Sequence, residues 1–385
     1  MKYLLGQPIT PENAMRLALA EARMGTGRVS PNPLVGCVIV DRDHEFLATG
    51  YHVQVGQAHA EVDALNKVEN RAKLDGAHVY VTLEPCAHQG RTPSCAKTLS
   101  QLKLGSVTYA LEDPNPLVAG QGAEILKQKG IRVSALKDRS DLPQVVRDEL
   151  IGEAEDVAEV FLHNMRAREP FVAVKIAATL DGQMALKNGQ SQWITGEEAR
   201  LHAHGVRAQY DAVAVGRGTF VADNPSLNVR HPQFMDLKNK VILFDPNGKT
   251  LNEVETSKIF RVRDPQQVLV VTRNEIEIKN QFPFQILRIP FEKNGEFDLS
   301  ALNQRLYEVG VTSFMIEGGA KTIGAFFKQQ KVQRLHLYQA PSLIGGEHGM
   351  SWSRYFGVSE LSAKLELKRV KFEMVSPDFY FTGRF

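Results

Sequence analysis

Cysteine, tryptophan and net charge are all scarce in this chain, and each scarcity narrows what it can be. Three cysteines among 385 residues, an odd number, are too few for a disulfide framework and fit a reducing compartment. Lys and Arg number 46 against 44 Asp and Glu, and the net charge of +2 supplies no field for nucleic acid or an acidic membrane surface. No run of about 18 apolar residues is present, so no membrane-spanning helix is expected. The first residues, Met1-Lys2-Tyr3-Leu4-Leu5-Gly6, hold no apolar stretch of signal-peptide length. Repeats and low-complexity tracts are missing too. What remains is a composition ordinary for a globular protein, a length that suggests two domains, and a cytoplasmic enzyme as the default expectation.

The most telling residues present are His59-Ala60-Glu61, followed downstream by Pro85-Cys86 and then Cys95. One imidazole and two thiolates suit one zinc ion per chain. Three protein ligands leave one tetrahedral position open, which marks a catalytic zinc, and a water there ionises near pH ~7. Glu61 stands beside the first ligand, placed to move protons without binding the metal. Zinc nucleobase deaminases use that layout. Two plainer readings stay open on these residues alone: Cys86 and Cys95 as buried core thiols, or a closed structural site with His88 or His52 as fourth ligand. Cys37 falls in the apolar run Val35-Gly36-Cys37-Val38-Ile39-Val40 and reads as core.

Hydrophobic periodicity and turn residues predict alternating strands and helices, hence an α/β fold. Thr10 before Pro11 predicts a helix start, a hydroxyl cap followed by proline in the first turn. Strands are expected at 35–40, 45–50, 78–83, 106–111 and 131–136. Helices are expected to open at His59, near Cys95 and near Glu124. Residues two apart do not share a helix face, so His59 and Glu61 can converge only from a helix's first turn. A long charged helix is expected over 143–168, with the domain boundary inside it, dividing the chain into 1–152 and 153–385.

In the second half, strands are expected at 171–177, 211–216, 240–244, 268–271, 285–290, 313–317 and 334–340, with a C-terminal pair. Thr195 and Glu198 form a capping-box pattern. Gly318-Gly319, after a strand and before a helix, suits a pyrophosphate, although αβ turns also use such a pair structurally. No Gly-x-Gly-x-x-Gly follows the domain's first strand, which argues against a standard Rossmann domain. The strand at 268–271 runs into Thr272-Arg273-Asn274. Ligands of open α/β sheets sit outside the carboxyl ends of strands, and a hydroxyl with a guanidinium there suits the 2′-phosphate of a dinucleotide.

Several stretches are recognisable together. Ser30-Pro31-Asn32-Pro33-Leu34-Val35-Gly36, Gly50-Tyr51-His52, His59-Ala60-Glu61 and Glu84-Pro85-Cys86-Ala87-His88-Gln89-Gly90-Arg91-Thr92-Pro93-Ser94-Cys95 resemble the deaminase half of the bifunctional riboflavin-biosynthesis deaminase/reductase family. Ser94 departs from a proline usual in that family. Lys175-Ile176-Ala177-Ala178-Thr179-Leu180-Asp181-Gly182, Trp193-Ile194-Thr195-Gly196, Gly216-Arg217-Gly218-Thr219, Asp223-Asn224-Pro225-Ser226-Leu227-Asn228-Val229-Arg230 and Glu317-Gly318-Gly319 resemble its reductase half.

The resemblance implies an α/β fold with an N-terminal cytidine-deaminase-like three-layer domain, 1–152, as a zinc-dependent pyrimidine deaminase, and a C-terminal dihydrofolate-reductase-like domain, 153–385, as an NADPH-dependent reductase. It implies zinc on His59, Cys86 and Cys95, proton transfer by Glu61, and substrate contacts from Asn32, His52, His88 and Arg91. It implies NADPH contacts from Ala177, Trp193, Thr219, Asp223 and the run Gly319, Ala320, Lys321, Thr322, Ile323, Gly324, Ala325. Ser191, Arg207, Leu227, Arg230 and Glu317 match substrate positions of the reductase. The implied reactions are hydrolytic deamination of 2,5-diamino-6-(ribosylamino)-4(3H)-pyrimidinone 5′-phosphate and then NADPH reduction of the ribosyl group to ribityl. The expected partners are small phosphorylated pyrimidines, with neither nucleic acid nor membrane, and a homo-oligomer is left open. A nucleic-acid base deaminase with an accessory nucleotide-binding domain is the rival reading.

Overall fold

A computed structural model of the chain describes residues 3–87, 94–115, 119–292 and 295–385. They fall into two compact units, Met1–Ala167 and Arg168–Phe385. Among the described residues no helix is long and apolar enough to cross a membrane.

The first unit runs α1 (Pro11–Ala22), β1 (Gly36–Val40), β2 (Phe46–Tyr51), α2 (Ala60–Lys67), β3 (His78–Leu83), α3 (Cys95–Leu99), β4 (Ser106–Leu111), α4 (Gln121–Lys127), β5 (Arg132–Ala135), α5 (Gln144–Val157) and α6 (Glu159–Ala167). Its sheet has the order β2-β1-β3-β4-β5. β1 pairs antiparallel with β2 and β3, and β3, β4 and β5 run parallel. The Thr10 hydroxyl caps α1 by accepting from the Asn13 amide at 3.3 Å.

Strand alternation sends neighbouring side chains to opposite faces, and both faces are covered. Cys37, Ile39, Val79 and Val81 pack with Ala60, Ala64, Ala96, Leu99 and Leu126 on one side. Val38, Val40 and Tyr80 pack with Met15, Ala18, Leu150 and Ala154 on the other. These are the three layers expected from the sequence. Two glycines set the helix-to-sheet distance. A Cβ on Gly36 would stand 1.9 Å from the Ala18 carbonyl oxygen, and one on Gly50 2.2 Å from the Ala64 nitrogen. The helix that carries His59 and Glu61 therefore lies directly on the β2 backbone.

The single helix expected over 143–168 is two. Ala158 (φ −93°, ψ 7°) breaks it, and α6 starts afresh at Glu159. α5 belongs to the first unit because Leu150 and Ala154 are buried in that unit's core. The division between units accordingly falls after Ala167, later than the 152/153 boundary expected.

The second unit runs β6 (Phe171–Thr179), β7 (Gln183–Leu186), α7 (Glu197–Arg207), β8 (Ala212–Gly216), α8 (Arg217–Asp223), β9 (Lys240–Phe244), α9 (Leu251–Val254), α10 (Lys258–Arg261), β10 (Val268–Arg273), β11 (Gln285–Ile289), α11 (Leu299–Glu308), β12 (Ser313–Glu317), α12 (Ala320–Lys328), β13 (Arg334–Ala340), β14 (Gly349–Ser351), β15 (Lys368–Val375) and β16 (Asp378–Arg384). The main sheet has the order β11-β10-β9-β8-β12-β6-β13-β16-β15. It is parallel from β11 to β13 and antiparallel across β13, β16 and β15. The carboxyl ends of β6, β8, β9, β10 and β12 therefore share one edge.

Val172, Val174, Ile176, Phe314 and Ile316 form the apolar face under α11 and α12. Towards α7 the same strands present Lys175, Glu317, His336 and Tyr338 instead. Polar contacts hold α7 there: His202 Nδ1 lies 2.8 Å from the Tyr338 hydroxyl, and the Tyr210 hydroxyl 2.7 Å from His336 Nε2. The α7 cap differs from the expected Thr195. Gly196 is the N-cap and, as glycine, has no side chain to cap with; its N–H donates to the Asp378 carboxylate at 2.6 Å.

Gly50→Ala is expected to push α2 away from β2 and to cost about 1–3 kcal/mol, the usual range for overpacking a tight contact. A lower thermal midpoint and a lower zinc content would report it; an unchanged midpoint would show that α2 yields freely.

Candidate functional site

The three expected ligands come from three places and meet. His59 is the N-cap of α2, Cys86 follows the end of β3, and Cys95 is the first residue of α3. His59 Nδ1 lies 3.6 Å from Cys86 Sγ and 3.4 Å from Cys95 Sγ, and all three ligand atoms lie within 4.8 Å of one another. Ordinary Zn–N and Zn–S bonds at the tetrahedral angle give an N···S edge of about 3.6 Å, so this set fits zinc as it stands. Among the described residues it is the one group of His, Cys or carboxylate side chains so gathered.

The start of α3 docks on Cys86. The Cys95 N–H donates to Cys86 Sγ at 3.3 Å, the Ala96 N–H to the Cys86 carbonyl at 3.1 Å, and the Ser94 hydroxyl to the same carbonyl at 2.7 Å. Ser94 also caps α3 by accepting from the Lys97 amide at 3.3 Å. The sequence reading gave Ser94 no role; its hydroxyl before the helix was the available signal. The Cys95 hydrogen bond, with His59 after it, lowers the Cys86 pKa against burial, while that bond and burial push Cys95 up.

Glu61, in the first turn of α2, is buried, and burial followed by the Cys86 charge pushes its carboxyl up to about 7. A carboxyl poised near neutrality can both take and return a proton. His52 sits beside His59, ring centroids 5.3 Å apart. Its Nδ1 lies 3.1 Å from the Ala58 carbonyl, which can only accept, so Nδ1 carries the proton. Nε2 then accepts from the Asn32 amide at 3.1 Å. Burial lowers the His52 pKa and keeps the ring neutral. Asn32 and His52 are thus joined to the ligand group. His88 and Arg91 lie outside the described residues.

In the second unit, Arg207 and Glu317 form a bidentate pair, Nε–Oε1 2.6 Å and Nη2–Oε2 2.8 Å. Although burial works against it, Arg207 and then Lys175 hold the Glu317 carboxyl down to about 2. Lys175 stands opposite Glu317 in register and is itself lowered by burial. The sequence reading quoted Lys175 within a motif without giving it a role. Arg207 Nη1 also donates to the Asn228 carbonyl and lies 3.1 Å from His204 Nδ1, which accepts from the Arg230 amide at 3.3 Å. Burial, with Arg207 second, takes His204 to about 3, so it stays neutral. Arg207, Leu227, Arg230 and Glu317 are therefore gathered. Ser191 and Trp193 lie in the segment before α7, where Trp193 is 70% exposed and Arg200 covers its ring at 4.5 Å.

The diglycine turn joins β12 to α12, with Gly318 at φ 81° and Gly319 at φ 83°, a backbone that suits glycine. A Cβ at Gly319 would lie 3.4 Å from the hydroxyls of both Thr219 and Thr322, which flank the turn. Of the expected run, Gly319, Ala320, Lys321 and Thr322 form this first turn. Ile323 is buried in the apolar core, Gly324 packs against Tyr355 at the distance of a missing Cβ, and Ala325 follows one turn into the helix. Ala177 lies near the end of β6, and Asp223 ends α8 with its carboxyl pKa raised by burial. Thr272 and Arg273 part company. Thr272 is wholly buried on the face of Val268 and Val270, and Arg273 lies on the other face, over the Phe291 ring at 5.2 Å and 2.6 Å from Asn247 Oδ1.

A three-ligand zinc centre on a mixed sheet, followed by a largely parallel sheet with a diglycine turn, defines a deaminase joined to a reductase. Comparison with known proteins agrees for each half. Residues 9–111 match the cytidine and deoxycytidylate deaminase zinc-binding region, and residues 170–381 match the RibD C-terminal domain. Riboflavin biosynthesis protein RibD of Bacillus amyloliquefaciens is 36% identical over 97% of this chain and 95% of its own. That of Escherichia coli is 34% identical over 95% and 97%. The solved structure of Acinetobacter baumannii RibD superposes with a TM-score of 0.80 at 32% identity, covering 97% of this chain and 98% of that one. A deaminase/reductase structure from Thermotoga maritima gives 0.80 at 29%. The chain belongs to the RibD family of riboflavin biosynthesis enzymes.

The raised Glu61 pKa makes a prediction about stability. Its folded value of about 7 exceeds the ordinary 4.5, so its favourable contribution is complete below about 4.5 and is lost as pH rises through about 7. In zinc-free protein, Glu61→Gln is expected to be more stable than the parent by about 1–3 kcal/mol at pH 8 and to show no such advantage at pH 4.5. Denaturant unfolding after chelation measures both, and an equal difference at the two pH values would remove the buried ionisation.

Proposed function

We propose that the first unit deaminates a phosphorylated diaminopyrimidine hydrolytically and that the second reduces the ribosyl group of the product with NADPH. The observation that carries this reading is the buried Glu61 beside His59, Cys86 and Cys95. Zinc, when bound by those three, supplies the Lewis acidity that makes water nucleophilic at neutral pH. Glu61 takes a proton from the attacking water and returns one to the departing amine, which leaves as ammonia. The Asn32 amide, oriented by neutral His52, suits the pyrimidine edge, and Arg91 with His88 suits the ribosyl phosphate, a role carried by the resemblance alone.

In the second unit the Gly318-Gly319 turn, the hydroxyls of Thr219 and Thr322 and the start of α12 suit the NADPH pyrophosphate. Ala177, Trp193 and Asp223 complete that cofactor set by their family positions. Arg230 and Arg207 suit the substrate phosphate, with Ser191, Leu227 and Glu317 around the sugar. NADPH, when bound there, would supply hydride to the ribose carbon of the ring-opened imine, and a proton taken up from water at the nitrogen would complete the amine. Arg273, at the carboxyl end of β10, is the cation assigned to the 2′-phosphate, and Thr272 serves that strand's packing. Thiolate ligands fit a reducing cytoplasm. The outer strand β15 leaves Val370, Phe372 and Met374 more than half exposed on alternate residues, which suits self-association. Nucleic-acid deamination finds no support in a net charge of +2.

Glu61→Gln is expected to abolish ammonia release while zinc stays bound and pre-deaminated substrate is still reduced. Coupled assays of ammonia and NADPH oxidation test it, and deamination at near parental rates would remove Glu61 from the chemistry. Arg273→Ala is expected to shift the preference for NADPH over NADH by about tenfold, or ~1.4 kcal/mol. Equal weakening of both cofactors would place the 2′-phosphate elsewhere.

A further inference from the structure

Arg263 lies in the loop after α10, outside every motif the sequence reading used, and its side chain is buried. Its guanidinium is spent on backbone carbonyls. Nε donates to Asn239 O at 2.9 Å, Nη2 to Leu227 O at 2.5 Å, and Nη1 to Ser226 O. Burying a cation is costly unless its donors are satisfied. Here the return is order in one short stretch, 226–230. Leu227 holds φ at 52°, a left-handed conformation disfavoured for a branched side chain, so this stretch needs outside support.

The stretch so clamped carries the groups assigned to the reductase substrate. Ser226 Oγ and Asn228 Oδ1, themselves 2.7 Å apart, both accept from Arg230 Nη1, at 3.1 and 3.2 Å. Arg207 holds the Asn228 carbonyl from the other side. The clamp also reaches α7. Asn239, whose carbonyl takes Arg263 Nε, donates its own amide to the Arg207 carbonyl at 3.0 Å and to the Tyr210 carbonyl. One buried guanidinium thus ties the loop bearing Leu227 and Arg230 to the end of the helix bearing Arg207.

We infer that Arg263 is a positioning residue of the reductase, one that fixes the 226–230 stretch so that Arg230 is presented to the substrate phosphate. The inference rests on the substrate reading of Arg230 above. A fork of parallel donors is needed to hold two successive carbonyls, which a lysine ammonium cannot reproduce. The phosphate is remote from the reacting carbon, so misplacing its contact weakens ground state and transition state alike and appears in KM.

The test uses the full chain carrying Arg263→Lys, the milder change, and Arg263→Gln. Steady-state reduction of the deaminated substrate is measured at saturating NADPH, with amide hydrogen exchange over the unit. Both variants are expected to raise KM by about tenfold, the loss typical of contacts to a charged donor, with kcat within about twofold. Faster exchange should be confined to 226–230, and ammonia release should be unchanged. In an Arg230→Ala background the further KM rise should shrink to below about threefold, because the two act through one contact. A fall in kcat at unchanged KM, the mark of a smaller folded fraction, would overturn the inference, as would unaltered exchange at 226–230 or fully multiplicative effects with Arg230→Ala. If Arg230→Ala alone leaves KM unchanged while the Arg263 variants loosen the stretch, the clamp stands and the phosphate role of Arg230 falls.

Discussion

Cys86 is held by the start of α3 through its sulfur and its carbonyl, and that docking turns two cysteines nine positions apart into adjacent ligands. The first unit is arranged around it. β3 delivers the loop that carries Cys86, and α2 lies close enough to β2, across Gly50, for His59 to reach both sulfurs from the helix entrance. Two helix starts therefore face the ligand cluster, and their backbone N–H groups favour the ionised thiol that a metal requires. Glu61 follows from the same entry. One turn further along α2 it would sit too deep to meet the ligands.

The second unit meets a different demand. Its substrate and cofactor are anions, so it has to hold buried cations in fixed places. Arg207 is oriented by Glu317 and the Asn228 carbonyl, and Arg263 is bound to three carbonyls, with Arg230 at the outer end of the same assembly. His204 stays neutral between Arg207 and Arg230 and serves as an acceptor. Lys175, Glu317, His336 and Tyr338 form a polar layer beneath α7 where an apolar one would pack as well. That layer fixes the helix by directional bonds, which suits a helix whose side chains must meet a ligand.

Much of this was legible in the sequence because the relevant signals are local. Thr10-Pro11 combines two helix-start preferences, His59 and Glu61 two apart require entry from a helix's first turn, and Gly318-Gly319 sits where a strand meets a helix. What escaped depends on distant partners. The helix at α7 starts one residue later than Thr195 suggests, and the Gly196 amide goes to Asp378, a partner 182 positions away. The break at Ala158 has neither glycine nor proline to announce it. Arg263 looks like any loop arginine until the 226–227 carbonyls fold onto it. The opposite facing of Thr272 and Arg273 is of another kind, since the two-residue period of a strand already sends neighbouring side chains to opposite faces.

The placement of α5 sets where this polypeptide can be divided. A chain severed at 152 would cut α5 in mid-course, part Leu150 from Ala154 and open the helical layer over Val38, Val40 and Tyr80 to water. Severed after Ala167, each piece keeps its own apolar interior whole. A deaminase half expressed alone therefore has to extend through α5 to keep that helical layer closed.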